Sequence, residues 1–509
     1  MHHYIQDFAQ EVGKKVTIKG WIVKIRESKT VIFFDFRDGT GFTQCVVSEE
    51  TVGAEAFEQA KSFRLETSVA VTGTLIENEK NLGGYEVAVD SFEVYHIAEG
   101  YPITKSDDEM GVDFLSDKRH LWLRSRRQWA IMRVRNQIIM GIHNFFQGQG
   151  FVQMDAPILT GNACEGTTDL FETEFFGRPA YLSQSGQLYG EAMAMAMNKI
   201  YTFGPTFRAE KSNTPRHLSE FWMIEPEMAF YTNEDNMLLI EQFIKSVVGD
   251  VLVKCAAELE VLERDTTSLQ NAVNNAFPRI PYVEAIKILR GEQDYNGKNA
   301  IQAQRDDLAA IEARLVEIAQ DIEVRQTAIA AGGMKKGQIK FNEAKIQALQ
   351  GEQRELEEKQ RNIPGWIESA LNFEMGNDFG NSDETVLTRI FDTPIMVYNW
   401  PAKIKSFYMK EVDGDPDYVK GVDLLAPEGF GEVVGGSERE TDINVLIRKI
   451  EEHKLDQSVF EWYLDLRRFG SVPHSGFGLG LESMVRWICK LPHVRETVPF
   501  QRRYGRIEP

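Results

Sequence analysis

Apolar and polar residues alternate through most of the first hundred positions, in KKVTIKGWIVKIRES, TVIFFDFRD, GFTQCVVS, TSVAVTGTLIE and GYEVAVDSFEVYHI, with turn residues between the runs. Alternation puts every second side chain on one face, so the pattern predicts five half-buried strands. A helical stretch at 53–63 falls between the third and fourth. Residues 101–121 are polar and turn-rich and read as a hinge. From Trp122 the apolar spacing becomes helical, through Ile131, Val134, Ile138, Ile142 and Phe146, and stops at Gly148 and Gly150. Strand-like alternation returns at 201–230. Between 290 and 363 the composition shifts to Gln, Glu, Ala, Arg and Lys. There Ile301, Leu308, Leu315, Ile322 and Ile329 fall seven apart, with Ile311 and Ile318 at the matching second position. A second run, Ile339, Ile346, Leu349 and Leu356, follows the break AAGGMKKG, so an antiparallel helical hairpin is expected. Strands and helices alternate again from 364 onward.

At 509 residues the chain is too long for a single core. The pattern predicts an α+β protein. Its parts are an N-terminal five-stranded barrel of the OB-fold type at 1–100, the hinge at 101–121, and a larger domain built from 122–289 and 364–509 with the hairpin 290–363 inserted. Acids outnumber bases 77 to 57, which excludes a general affinity for polyanions, because such binding comes from cationic surface that displaces counterions. No DNA partner is expected. RNA would need a local basic patch, and Lys118, Arg119, Arg124, Arg126, Arg127, Arg133 and Arg135 form one, which reads equally well as a solvated helix face. Cys45, Cys164, Cys255 and Cys489 lie far apart with no CxxC pair, so neither a zinc site nor a disulfide framework is expected. The start MHHYIQDFAQ has no apolar signal core, and no run approaches the roughly 18 apolar residues of a membrane span. A cytoplasmic protein without a membrane partner follows as the expectation.

Candidate chemistry concentrates at 201–230, YTFGPTFRAEKSNTPRHLSEFWMIEPEMAF. Arg208 and Arg216 each carry a planar fork of donors shaped for phosphate oxygens. Phe221 can lie against a purine, and Glu225 and Glu227, two apart in a strand, share a face. A nucleoside triphosphate and a second charged substrate fit this set. In the barrel, Trp21, Phe33 and Phe34 offer stacking surfaces for single-stranded nucleic acid, with Lys24 and Arg26 for its backbone. Adjacent Phe33 and Phe34 face opposite sides, so at most one is an exposed platform, and composition by itself favours Phe33 as core.

The segments FGPTFRAE, RHLSEF and EPEMAF closely resemble motif 2 of class II aminoacyl-tRNA synthetases, in the form found in asparaginyl-tRNA synthetases. The helix ending near Phe146 with FVQMDAPIL is similar to motif 1, and GFGLGLESMVRWI to motif 3. The resemblance covers about 1–285 and 365–509 and leaves the hairpin out; tRNA contact, a partner interface or a plain spacer are its open roles. It implies the class II antiparallel-sheet catalytic domain, a homodimer through motif 1, and ATP- and Mg2+-dependent joining of L-asparagine to tRNA(Asn). Residue by residue, it implies Arg208 on the α-phosphate and Glu210 near adenine and the tRNA 3′ end. Arg216 and His217 would reach the γ-phosphate and base, with Phe221 stacked on adenine. Gly480 and Ser483 belong to motif 3 of the ATP site. Asp423 and Glu432 match the magnesium ligands, Glu432 serving ATP as well. Glu225 and Arg439 match the pair that reads the amide of asparagine: the Glu accepts from its NH2 and repels a carboxylate, while the Arg donates to its carbonyl. Ser185, Gln187 and Glu165 would hold the α-amino group. VIFFDFRDGTG is similar to the anticodon-binding strand of these enzymes, which makes Phe33 the base-stacking residue, beside Arg26 and Lys24.

Three departures bear on this reading. Aspartyl enzymes carry an Asp at the position of Glu225 and a lysine at that of Gly190, and both differences favour asparagine. Motif 3 carries an arginine where this chain has Ser483, which can neither cover adenine nor bind a phosphate charge. Loss of such a contact costs about 2–4 kcal/mol, or 10²- to 10³-fold in rate if made in the transition state. Arg486 stands one helical turn on along the same face. Aspartyl-tRNA synthesis and an adenylation-impaired RNA-binding paralogue stay open as alternatives. So does an asparagine synthetase-like enzyme, which would have no need of the barrel.

Overall fold

The strands β1 (Lys15–Glu27), β2 (Val31–Arg37), β3 (Phe42–Ser48), β4 (Ser68–Glu77) and β5 (Tyr85–His96) close into a barrel in the order β1-β2-β3-β5-β4. The computed structural model describes residues 2–105, 110–161, 170–212 and 214–509. Inward positions of the strands, among them Val16, Ile18, Ile22, Ile32, Phe34, Phe36 and Val47, form the barrel core, and α1 (Ala54–Lys61) adds Phe57 and Ala60 to it. Closure leaves no room for side chains at two glycines: a Cβ on Gly73 would sit 2.1 Å from the Ala88 carbonyl oxygen, at a bulge between β4 and β5, and one on Gly20 would sit 2.0 Å from the Arg37 carbonyl oxygen. Phe34 is 1% exposed and Phe33 faces outward, so composition by itself misplaced Phe33 and strand parity placed the pair correctly.

The chain divides after Ser116. The second unit therefore takes in the end of the segment expected as a hinge, and Arg119 accounts for it. This buried guanidinium donates to the Pro499 carbonyl at 2.9 Å, the Val498 carbonyl at 2.7 Å and Gln128 Oε1 at 2.7 Å. Arg135 is also buried and pairs with Glu482 at 3.2 Å. Two of the seven cations in the basic run are thus internal.

The second unit is built on a sheet of β6 (Val152–Gln153), β10 (Lys199–Phe207), β11 (Glu220–Ala229), β12 (Arg279–Pro281), β13 (Ile395–Pro401), β15 (Asp415–Ala426), β16 (Gly431–Glu438) and β17 (His474–Gly480). Their spatial order is β12-β13-β15-β16-β17-β11-β10-β6, with β14 (Glu411–Val412) paired to β15. All neighbours are antiparallel except β6 with β10 and β12 with β13. A small sheet of β7 (Leu159–Thr160), β9 (Arg178–Leu182) and β8 (Glu172–Phe175) is separate from it. Helix α2 (Arg126–Gly148) starts after Ser125, whose hydroxyl accepts from the Gln128 N–H at 3.3 Å, rather than at Trp122. The expected stripe from Ile131 to Phe146 lies in the main core, together with α4 (Asn233–Lys254), and α3 (Gln187–Met197) covers β10 and β11.

Helices α5 (Ala300–Ala330) and α6 (Lys336–Leu371) form the hairpin. Of the heptad positions, Ile301 and Ile318 are buried and the others half-buried, because two helices enclose only a narrow seam. Helix α6 runs past the expected end at 363 because its last turns enter a second core with Ala370. Arg389 forks onto Asp307 of α5, and Ser369 donates to Asp383 at 2.8 Å, which fastens the hairpin base to α7 (Asn381–Thr388). Among the described residues no helix is long and apolar enough to cross a membrane, and Cys45, Cys255 and Cys489 are free and buried.

Candidate active site

The β10–β11 hairpin sets the site, with Thr202 opposite Glu225 and Thr206 opposite Phe221. Strand parity places Phe221, Met223, Glu225 and Glu227 on one face. The neighbouring strand β17 leaves that face open. A Cβ on Gly476 would lie 2.2 Å from Glu227 Oε1, and one on Gly478 would lie 2.6 Å from Met223 Cε. The alternate glycines of GFGLG are therefore a packing requirement of the acids and Met223 beside them.

At the outer end of this face is a cleft of about 230 Å³, where Arg208, Arg216, His217, Phe221, Glu432, Gly480 and Ser483 meet. Arg208 follows β10, its Cζ is 5.3 Å from the Phe221 ring centre, and its buried Nε has no partner among the described residues. Arg216 pairs through Nη1 with Glu384 of α7 and donates through Nη2 to the Gly429 carbonyl at 3.0 Å. Gly431 makes room for that pair: its φ is +75°, and a Cβ there would lie 2.0 Å from Glu384 Oε2. Burial raises the Glu384 pKa against the lowering effect of Arg216. His217 Nδ1 lies 3.1 Å from Ser212 Oγ and bonds Thr214. Burial lowers its pKa; Glu210, in the same loop, opposes this, and Arg208 and Arg216 reinforce it, so the ring is neutral at neutral pH.

Deeper along the wall, Asp423 and Glu432 approach each other over Gly435, where a Cβ would lie 2.9 Å from Glu432 Oε1 and 3.5 Å from Asp423 Oδ1. Lys405 lies 2.7 Å from Asp423 and 3.9 Å from the Trp400 ring centre. Burial pushes Asp423 up to about 7, with Lys405 opposing and Glu432 adding to the rise. No cluster of three metal-ligating side chains occurs among the described residues. Two converging carboxylates suit magnesium, which takes one or two of them and fills its remaining positions with water and phosphate oxygens.

Below the cleft, Glu225 accepts from the Gly186 N–H at 2.8 Å, from Thr202 Oγ1 at 3.2 Å and from Ser185 Oγ. Arg439 is paired with Glu227 rather than Glu225, through Nη2 at 2.5 Å and Nε at 3.3 Å, and donates to Ser437 Oγ at 2.8 Å. Burial raises the Glu227 pKa, with Arg439 opposing and Glu191 adding to the rise; an N–H donor on each oxygen favours its carboxylate form, and the pair in turn holds Arg439 charged despite burial. Gln187 donates to Glu191 at 3.2 Å, and Glu191 also accepts from Arg467 at 3.0 Å and Tyr463 at 2.8 Å, with His474 Nε2 at 2.9 Å. Burial alone would raise Glu191; Arg467 and His474 override it and hold the group ionised. Glu165 lies outside the described residues.

In the barrel, Arg26 and Phe33 are cross-strand partners, with the Arg26 Cζ 6.0 Å from the ring centre, and Lys24 is two residues back on the same face. Arg26, Phe33, Gln44 and Asn81 line a depression of about 350 Å³.

A family model described as class II tRNA synthetases (D, K and N) matches residues 111–503, and one described as an OB-fold nucleic acid binding domain matches 16–95. An asparagine–tRNA ligase of Symbiobacterium thermophilum is 44% identical over 98% of both chains, and one of Thermus thermophilus is 43% identical with full coverage of both. This chain belongs to the asparaginyl-tRNA synthetase family. The structure of the Pyrococcus horikoshii asparaginyl-tRNA synthetase complexed with asparaginyl-adenylate is similar, with a TM-score of 0.81, 36% identity and full coverage of both chains. That of the Entamoeba histolytica asparaginyl-tRNA synthetase gives 0.75 at 26%, covering 98% of this chain and 97% of that one.

Within the asparaginyl family, Gly190 now has a packing reason: a Cβ there would already lie 3.2 Å from Glu227 Cγ, so the lysine of aspartyl enzymes would run into the Glu227–Arg439 pair. Several groups at the site, Glu191 and its partners among them, were not singled out as candidates from sequence. Glu384 lies 168 residues from Arg216, and Lys405 stands in an unremarkable polar turn. Glu227 was noted only as sharing a face with Glu225, although it is the acid that anchors Arg439, 212 residues away.

Proposed function

We infer that the chain activates L-asparagine with ATP and transfers it to tRNA(Asn). The observation that carries this is the meeting, in one cleft, of the motif 2 groups Arg208, Arg216, His217 and Phe221 with Glu432 and the motif 3 segment, next to a carboxylate at Glu225 held by three donors. In the reaction, a carboxylate oxygen of asparagine bonds to the α-phosphorus of ATP, and the bond to the bridging oxygen breaks, so pyrophosphate leaves with its electron pair. The tRNA 3′ hydroxyl then attacks the carbonyl carbon of the adenylate and AMP departs. Both reactants of the first step are anions, so the residues' work is to hold them together and stabilise charge on phosphorus. Arg208, whose buried Nε has no partner among the described residues, does this at the α-phosphate. Phe221 takes one face of adenine, Arg216 and His217 hold the outer phosphates, and Glu210 sits by the base and the tRNA end. Asp423 and Glu432 fit a magnesium ion bound with ATP. Such an ion would offset the negative charge of the phosphates.

Glu225 accepts from the amide NH2 of asparagine, and Arg439, kept in place by Glu227, donates to its carbonyl. Ser185 and Gln187 lie along the α-amino end; Ser185 also braces Glu225, and Gln187 is tied to Glu191. On the barrel, Phe33 stacks an anticodon base, with Arg26 and Lys24 on the backbone. A homodimer is supported by apolar side chains left exposed along motif 1: Met140 (46%), Val152 (41%), Ile158 (46%) and Leu159 (44%). Pyrophosphate exchange and tRNA charging, each run with asparagine and with aspartate, test the reading. Exchange and charging with asparagine alone are expected. Aspartate-dependent exchange of equal rate, or binding of tRNA without either activity, overturns it.

A further inference from the structure

Ser483 lines the ATP cleft without a charge, and one helical turn further on the same face of α8 (Leu481–Ile488) stands Arg486. Side chains on a helix lean toward its N-terminus, which directs Arg486 back toward Ser483. Its guanidinium lies 5.0 Å from the Phe430 ring centre, and Nη1 makes a long contact of 3.4 Å with the Phe430 carbonyl. Arg216 donates to the carbonyl of the preceding residue, Gly429, so the two guanidiniums dock on consecutive carbonyls of one turn. The two arginines are not equally satisfied. Arg216 has Glu384, whereas Arg486 has no carboxylate within ion-pair distance among the described residues, and its buried Nε has no partner there.

We propose that Arg486 and Arg216, seated on the Gly429–Phe430 turn, form the subsite for the terminal phosphate of ATP, and that Arg486 takes over the charge that Ser483 leaves out. The assignment rests on the reading of this cleft as the ATP site. Burial and then the neighbouring Arg216 charge lower the Arg486 pKa to about 10 against the opposing effect of Glu384, the behaviour of a cation in want of an anion. A phosphate between the two guanidiniums would supply one, with donors left over on Arg486. As the α-phosphorus bond to the bridging oxygen breaks, negative charge grows on the departing pyrophosphate, and both arginines meet it.

The test uses the full chain in asparagine-dependent pyrophosphate exchange, with Arg486→Met keeping an apolar stem on Phe430 and dropping the charge. The expected result is a fall of about 10²-fold in kcat/KM for ATP with KM for asparagine unchanged, and a return to within about tenfold in Ser483→Arg/Arg486→Met. Unchanged ATP kinetics in Arg486→Met, or a double variant no better than that single one, overturns the proposal. Should Arg486→Met melt well below the parent, Arg486→Gln, which drops the charge and keeps a polar end, decides. A raised KM for ATP at an unchanged melting temperature supports the subsite, and parental kinetics overturn it. Arg208→Ala run alongside separates the two levels: if it leaves exchange intact, the cleft itself has been misread, whereas if it abolishes exchange and Arg486→Met does not alter it, only the subsite fails.

Discussion

Replacing Glu225 by Gln changes the group that distinguishes an amide from a carboxylate with almost no change in volume. In the structure Oε2 accepts from the Gly186 N–H at 2.8 Å and from Thr202 at 3.2 Å, while Oε1 faces Ser185. The glutamine oxygen must keep the side with the two fixed donors, so its NH2 takes the place of Oε1. An acceptor thereby becomes a donor where the asparagine NH2 would dock. A hydrogen bond to a charged group contributes about 1.5–3 kcal/mol, so kcat/KM for asparagine should fall roughly 10- to 150-fold. Aspartate loses a like-charge neighbour and gains a neutral hydrogen bond of about 0.5–1.5 kcal/mol. Together the preference for asparagine should shrink by about 10²- to 10³-fold. Pyrophosphate exchange with each amino acid at saturating ATP measures it, and the KM for ATP serves as the internal control. A preference that moves by less than tenfold would refute the assignment of Glu225 to the amide.

Phe33→Ala should leave pyrophosphate exchange untouched, because the ring lies outside the barrel core, and lower kcat/KM for tRNA by the equivalent of about 1–3 kcal/mol of lost stacking; equal tRNA kinetics would remove the anticodon role. Gly431→Ala places a Cβ 2.0 Å from Glu384 and 2.3 Å from Arg216 at a φ of +75°. The pair must part, and a rise of about tenfold in KM for ATP is expected, with KM for asparagine steady. His493 is held at about 3, first by burial and then by Arg495 and Arg503, and its Nδ1 accepts from the Arg495 N–H at 3.0 Å. Its folded value lies below the unfolded value of about 6.5, so the unfolded chain binds more protons between these limits. The stability it contributes is complete above pH 6.5 and is lost as the pH falls toward 3, with a slope below the full ~1.4 kcal/mol per unit because the ring is partly exposed. Melting curves between pH 7 and 4.5 should therefore be flatter for His493→Asn than for the parent; parallel curves would count against the origin assigned here.

Local pattern was enough for the barrel, since alternation with one apolar face leaves few ways to bury five strands, and parity put Phe33 and Phe34 on opposite sides, while the resemblance was needed to say which of them faces out. The helix stripe from Ile131 to Phe146 and the heptads of the hairpin were legible for the same reason: each repeats with the period of its own backbone. Element ends were less so. Arg119 joins the second unit through carbonyls some 380 residues away, and α6 continues to Leu371 because a distant core accepts Ala370.

Arg208, Arg216 and Phe221 were readable as residue types gathered in one short run, and His217, Asp423, Glu432 and Arg439 through the resemblance to the synthetase motifs. Their partners were not. Which acid holds Arg439, why Gly190 and Gly476 must stay small, and why Arg216 needs both Glu384 and a glycine at 431 all depend on the strand order β16-β17-β11 and on a helix delivered after the hairpin insertion. The sequence determined periodicity, composition and the identity of the chemical groups, because these are properties of neighbours along the backbone. Only the tertiary structure decided which charges meet, because a buried ion pair depends on distances of a few ångströms between residues that the chain separates by hundreds of positions.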